Sequence, residues 1–346
     1  MALSSATNDG AIGRGPSPED DPGPATRSPA RGTARPDLAV EPGACALCDK
    51  RGGSLFASGP DFEYDTTRSE FRFWRCPCGG VYLDPRPAAE ALPRIYPSNY
   101  YAYEFAQKLG PFVMRFKRLA ERAKVDTYRP FVAAHARVLD VGCGDGHLLA
   151  ELRGACDFPL ELEGVDFSPV AAEAAERAGF KVHQGRVETL ELPARAFDLI
   201  IMNQLIEHMP DPLAVLRVMK RALRPGGHLL IETPNIESLD ARLFRRRYWG
   251  GYHLARHFHL FDRRTLAQLV ERAGLAVVVR RPLVCPQFWI ISLHNWLASL
   301  GRRELAARLF SPFNPLWLAP FTLVELVQQR LWWTSNLQLV ARNPVA

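Results

Sequence analysis

The N-terminus, M-A-L-S-S-A-T-N-D-G, lacks a basic stretch followed by an apolar one, so no secretory signal is visible. No uninterrupted apolar run reaches the roughly 20 residues that a bilayer-spanning helix needs. Cysteines are few and odd in number: seven in 346 residues, as two close pairs near the N-terminus and three scattered singles. That is not the even, dense framework of a small secreted domain, and it fits a reducing cytoplasm. Residues 1–43 are poor in aromatic and β-branched side chains and rich in Pro, Gly, Ala, Ser and Arg. They cannot bury enough apolar surface to offset chain entropy and are expected to be disordered. Nor is the charge strongly one-sided, since a net +6 spread over this length permits an anionic partner without requiring one.

The length suggests about two domains, and a 47% hydrophobic content suffices for a sizeable core. The most informative stretch is V-L-D-V-G-C-G-D-G-H-L-L at 138–149, which joins a short apolar run to a Gly-rich loop opening into a helical pattern. Val138, Leu139 and Val141 read as a buried parallel strand, and Gly142, Gly144 and Gly146 let the backbone turn tightly and approach a ligand. A second strand, L-E-L-E-G-V-D, ends in Asp166, about 20 residues past the loop, where a carboxylate can accept both hydroxyls of a ribose. The G-x-G-x-G spacing, with Asp140 two residues before it, favours S-adenosylmethionine over a dinucleotide.

Five segments now combine: 138–146, Asp166, A-F-D-L-I-I at 196–201, E-H-M-P-D-P at 207–212 and L-R-P-G-G-H-L-L-I at 223–231. In their order and spacing they resemble the class I S-adenosylmethionine-dependent methyltransferases over roughly 130–280. The resemblance implies an α/β fold: a doubly wound, seven-stranded, Rossmann-like sheet whose last strand, N-L-Q-L-V-A-R at 336–342, is antiparallel. It also implies cofactor contacts at Asp140, Gly142, Gly144 and Gly146 on the methionine side and at Asp166 on the ribose. Phe167, Asn203 and, for the adenine, Glu188 complete the set. Family members commonly carry an Asp after the glycine at 185; Arg186 stands there in this chain and cannot accept a hydrogen bond. Local signals agree with the fold. Ser168 and Pro169, Asp211 and Pro212, and Asp262 open helices, while Pro225, Gly226 and Gly227 are expected to turn into the fifth strand.

Upstream, Cys45 and Cys48 form a C-x2-C pair, and Cys76 and Cys78 a C-x-C pair followed by Gly79 and Gly80. Four thiolates in two knuckles can close a tetrahedral zinc site, whose role is structural because four protein ligands leave no position for water. A segment this short with few apolar residues needs such a staple. With D-P-R-P at 84–87 and the tyrosines Tyr96, Tyr100, Tyr101 and Tyr103, it resembles the zinc-ribbon-like N-terminal module of some bacterial methyltransferases. Those act in polysaccharide, glycolipid or secondary-metabolite pathways. The expected organisation is a tail (1–43), the module (44–87), a helical connector (88–135), the methyltransferase core (136–281), a helical insertion or lid (282–334) and the last strand (335–346).

Methyl transfer requires alignment more than dedicated catalytic groups, so the acceptor site is harder to read than the cofactor site. His208 follows the fourth strand, and His257 and His259 sit in H-L-A-R-H-F-H-L-F, a substrate-facing element by resemblance. Each is a candidate general base, its ordinary pKa lying near working pH. A histidine metal site is not expected, because no acid accompanies them at helical ligand spacing. In the insertion, Trp289, Trp296, Phe313, Trp317 and Phe321 read as apolar helix faces, with Pro315 and Pro320 breaking the last run. Peripheral membrane contact through 285–330, or a wall around a lipid-linked acceptor, suits tryptophans interspersed with arginines. The expected substrate is a small molecule, a sugar or a lipid-linked intermediate; nucleic acid is not expected. An RNA methyltransferase and a non-catalytic scaffold are the competing readings.

Overall fold

A computed structural model describes residues 38–96, 122–312, 314–331 and 333–345. Most of the tail, Tyr100, Tyr101, Tyr103, the helical pattern expected around Phe112, Phe116 and Leu119, and Phe313 lie outside them. β1 (Val40–Glu41) pairs antiparallel with β5 (Arg86–Pro87), and between them β2 (Ser54–Gly59), β3 (Phe71–Arg75) and β4 (Val81–Leu83) form an antiparallel sheet. In β3, Phe71 and Phe73 are buried while Arg72 is exposed, the period-two alternation of a strand with one face on a core.

The turns beside this sheet carry the cysteines. Asp49 N–H donates to Cys45 O at 2.8 Å, and Gly79 N–H donates to Cys76 O at 2.8 Å, so each pair sits on its own tight turn. The sulfurs of Cys45 and Cys78, Cys48 and Cys76, and Cys48 and Cys78 are each 3.4 Å apart. Four sulfurs at 2.3 Å from a tetrahedral zinc stand about 3.8 Å from one another, so the cluster has the size of such a site. The shortened second knuckle is accommodated by its glycines. Gly79 adopts φ +100°, and a Cβ on Gly80 would lie 2.6 Å from the Cys45 sulfur.

The larger sheet comprises β6 (Arg137–Val141), β7 (Glu161–Asp166), β8 (Lys181–Gln184), β9 (Phe197–Asn203), β10 (Leu223–Pro234), β12 (Ala276–Leu283) and β13 (Asn336–Arg342). Its order is β12-β13-β10-β9-β6-β7-β8, with β6 to β10 parallel and β13 antiparallel to both neighbours. The chain winds outward from β6 to β8 and then returns to β9 on the other side of β6, which makes the β6/β9 boundary the topological switch point. Val138, Leu139, Leu199, Ile200, Ile201, Leu229, Leu230 and Ile231 are fully buried, as a parallel sheet covered on both faces requires. The turn expected at Pro225, Gly226 and Gly227 is instead an irregularity inside β10, where the register against β9 shifts between Leu223 and His228. The helix caps stand where expected: Ser168 Oγ accepts from Ala171 N–H at 3.4 Å, Asp211 Oδ1 accepts from Ala214 N–H at 3.0 Å, and Asp262 forms a capping box with Thr265.

β11 (His259–Leu260) leaves the core to pair with β4, completing the N-terminal sheet in the order β11-β4-β3-β2. A buried ion pair reinforces the join: Arg256 donates from both terminal nitrogens to Asp61, each at 3.0 Å. The insertion forms helices Gln287–Ser299, Arg303–Leu309 and Pro315–Gln328. Pro315 starts the last of these as its first residue, but Pro320 lies inside it and does not break it. A proline there costs about 3 kcal/mol. Opposing that cost, Phe321 stacks on Trp289 (centroids 5.4 Å, interplanar 11°), and buried Glu325 accepts from Trp289 Nε1 at 3.0 Å and Ser335 Oγ at 2.7 Å. Among the described residues, no helix is long and apolar enough to cross a membrane. Replacing Cys45 and Cys76 by Ser is expected to remove one equivalent of zinc per chain by elemental analysis. It should also lower the melting temperature and strip hydrogen-exchange protection from 44–87 before 136–281; unchanged zinc content would exclude this cluster as the site.

Candidate functional site

The loop after β6 is shaped by three glycines in the left-handed region: Gly142 (φ +81°), Gly144 (φ +56°) and Gly146 (φ +81°). A Cβ on Gly146 would lie 2.8 Å from the Phe180 ring, so packing demands glycine there, whereas Gly144 has open space on that side. A side chain at Gly144 would project into that open space, at a backbone conformation that favours glycine. Gly142 and Cys143 both donate N–H to Val165 O, at 2.8 and 3.0 Å, lashing the loop to the end of β7. Asp166 then takes Gly144 N–H on Oδ2 and Ser168 N–H on Oδ1, each at 2.9 Å. Its carboxylate is thereby fixed in orientation, and each oxygen keeps a lone pair for a further donor.

The other expected cofactor residues lie at the same edge of the sheet. Phe167 follows Asp166 and is 57% exposed. Glu188 pairs with Arg186 at 3.3 Å, so the arginine that cannot accept a hydrogen bond orients a carboxylate that can. Asn203 ends β9 and accepts from Lys124 Nζ at 2.9 Å; the same ammonium pairs with Glu232 at 2.6 Å. Asp140 is buried in β6, and burial pushes its carboxyl up to about 7, opposed by Lys124 and reinforced by Asp166 and Glu232.

Beyond β9, Gln204 turns the chain at φ +50° into a short 3-10 helix, Ile206–His208. It presents Glu207 and His208 to the 253–257 segment, where His253 and Ala255 have φ +38° and +74°. The His208 and His257 rings meet edge to face at 4.5 Å, with His253 at 5.1 Å from His257. His208 Nδ1 lies 3.1 Å from Arg256 O and 3.0 Å from Tyr96 Oη, and His257 Nδ1 lies 2.9 Å from Gly251 O. Glu207 Oε2 accepts from Thr233 Oγ1 at 3.0 Å; Oε1 is buried without a hydrogen bond, 4.0 Å from His257 Nε2. Burial pushes Glu207 up to about 8. It pushes His208 down to about 3, with His253 adding to the effect, and holds His257 well below the ordinary range.

Of the three candidate bases, therefore, His208 and His257 are brought together and His259 is not. His259 lies in β11, where burial and the nearby Arg86 push it down to about 4, and neither ring nitrogen makes a well-formed hydrogen bond. Sequence reasoning passed over Glu207 as an acid partner and His253 as a neighbour. Glu207 stands beside His208 in sequence, but His253 and His257 reach them from a separate segment, a meeting that spacing along one helix does not show.

Among similar proteins is a ubiquinone biosynthesis O-methyltransferase of Cereibacter sphaeroides (strain ATCC 17029 / ATH 2.4.9). It is 28% identical over 244 residues, covering 65% of this chain and 93% of that one. Another of that name, from Ruegeria pomeroyi, is 33% identical over 193 residues, covering 52% and 73%. A solved SAM-dependent methyltransferase from Archaeoglobus fulgidus superposes with a TM-score of 0.44 at 20% identity, covering 67% of this chain and 97% of that one. The model of a methyltransferase domain family matches residues 107–279, half of this chain of 346. The chain therefore belongs to that family and is an S-adenosylmethionine-dependent methyltransferase.

Proposed function

We propose that this methyltransferase acts on a hydroxyl of a small or lipid-linked acceptor. The observation that carries the reading is the convergence of two sets of groups at one edge of the sheet. The Gly142–Gly146 loop and Asp166 follow β6 and β7, and the Glu207, His208 and His257 cluster lies just past β9, the other neighbour of β6. A donor seated on the first set stands beside an acceptor presented to the second. The O-methyltransferase names of the similar proteins support oxygen as the acceptor atom and a small molecule over RNA. A sugar, a glycolipid headgroup or a secondary metabolite each offers such a hydroxyl.

Bound S-adenosylmethionine supplies a sulfonium methyl and a neutral thioether leaving group, so the chain needs chiefly to align the partners and keep water out. The glycine loop would hold the methionine part, with Asp140 attracting its ammonium group. Asp166 would accept the ribose hydroxyls, and Phe167 and Glu188 would flank the adenine. Asn203, held by Lys124, would stand between donor and acceptor. His208 and His257, both pushed below the range of a working base, would position the hydroxyl rather than take its proton, and His259 would take no part.

The helix Pro315–Gln328 supports a lipid-linked acceptor. Leu316, Leu323 and Val327 share one face and are 79%, 56% and 67% exposed, with Arg302, Arg308 and Arg330 exposed nearby in sequence. An apolar face with basic flanks suits peripheral contact with an anionic bilayer.

Asp166→Ala is expected to weaken S-adenosylmethionine binding by roughly 100-fold in calorimetry, about the worth of two hydrogen bonds to a charged acceptor. Wild-type affinity in that variant would remove the ribose assignment. Because Asp140 ionises only above about 7, cofactor affinity is expected to rise as pH increases through that value. Asp140→Asn should flatten the profile, and an unchanged slope would place the titrating group elsewhere. Leu323→Asp with Val327→Asp is expected to reduce co-sedimentation with phosphatidylglycerol vesicles severalfold while cofactor affinity holds; equal sedimentation would take the membrane out of the reading.

A further inference from the structure

We propose that Glu207, His208 and His257 hold a divalent first-row transition-metal ion that receives the acceptor hydroxyl. This deepens the acceptor reading above and rests on it for the ion's use, though not for the ion's site.

The argument begins with where the protons must be. His208 Nδ1 faces Arg256 O at 3.1 Å and His257 Nδ1 faces Gly251 O at 2.9 Å. A carbonyl oxygen only accepts, so both Nδ1 atoms carry the hydrogen and both Nε2 atoms carry lone pairs. Among the described residues, no hydrogen bond occupies either Nε2. Thr233 Oγ1 fixes the Glu207 carboxyl through Oε2, leaving Oε1 buried without a hydrogen bond. One ligand atom from each of the three residues lies within 4.8 Å of the other two. Two imidazole lone pairs and one carboxyl oxygen thus converge on one point. Oε1 and His257 Nε2 are 4.0 Å apart, too far for a hydrogen bond and close to the sum of two metal–ligand distances of 2.0–2.2 Å.

The surroundings are those of a ligand set. Each member has a partner on its far side, the arrangement that orients metal-binding imidazoles and carboxylates. Arg256, the fixed cation beside the histidines, is paired with Asp61. Glu207 and His257 are buried, while His208 is only partly so. Two imidazoles and one carboxylate suit Zn2+, Mn2+, Fe2+ or Co2+ better than Mg2+ or Ca2+, and three protein ligands leave positions open. A hydroxyl bound at an open position loses its proton to solvent more readily, because the cation stabilises the oxyanion.

Titration with Co2+ of chain holding a single equivalent of zinc, at the cysteine cluster, followed by visible spectroscopy, tests the site without an acceptor. One further equivalent is expected, with weak d–d bands and without the intense sulfur-to-cobalt charge transfer that cysteine ligands give. Glu207→Gln and His257→Gln should each weaken it by at least roughly tenfold, since even the loss of outer-shell partners costs that much. Zinc content and S-adenosylmethionine affinity should stay as in the wild type, showing that the variants fold. If Glu207→Gln does not fold, His208→Gln takes its place in the comparison. Absence of a further equivalent in the wild type, or equal Co2+ affinity in the variants, overturns the proposal. A chain that binds Co2+ as expected but methylates no hydroxyl overturns the acceptor reading alone.

Discussion

The buried Asp61–Arg256 pair is the tie on which the acceptor side of the molecule depends. Both residues are almost wholly removed from water, at 1% and 0% exposure. Burial alone would raise the Asp61 carboxyl, yet the Arg256 guanidinium outweighs it and holds the group at about 2. Breaking such a pair by removing one partner costs about 3–5 kcal/mol, because the other is left charged and unpaired. Arg256 also donates to Ile95 O at 2.7 Å, one residue before Tyr96, and its own carbonyl faces His208. One side chain thus sets the N-terminal sheet, the tyrosine and the histidine cluster relative to one another. The left-handed backbone at His253 and Ala255, unfavourable for residues with a Cβ, is held in place by this anchorage.

The cofactor side works by a different economy. Its geometry is fixed within a few residues: glycine φ angles, two N–H groups on Val165 O and two on the Asp166 carboxylate. Local geometry of that kind is legible in a sequence. The G-x-G-x-G loop, the distant aspartate and the caps at Ser168, Asp211 and Asp262 are local devices, and each stands where it was read. Strand β13 matches the span, 336–342, that the family resemblance implies. The sheet order came from family resemblance, since periodicity says nothing about which parallel strands are neighbours.

What was not legible is non-local. Glu207 and His257 are 50 positions apart in sequence and meet only because β9 and the segment before β11 end at the same place. His253 and Glu63 form a 2.9 Å contact across 190 positions, and Asp61 and Arg256 lie 195 apart. No spacing rule within one helix or loop anticipates such pairs. Pro320 illustrates the opposite error, in which a sound local rule is overridden by aromatic stacking and a buried carboxylate. His259 illustrates a third: its two-residue offset from His257 spans the entry into a strand, and the rings part company there.

The pairing of β11 with β4 bears on how the chain is born. The cysteine knuckles leave the ribosome before the larger sheet does, and three strands of their own sheet with them. Their apolar layer, however, is finished by Ile236, Trp249, Tyr252, Leu254, Phe258 and Leu260. The N-terminal sheet must therefore wait for more than 150 further residues before its own interior closes. During that interval the four thiols and the bare faces of Phe71 and Phe73 are exposed to whatever the nascent chain meets, and early metal capture would shelter them.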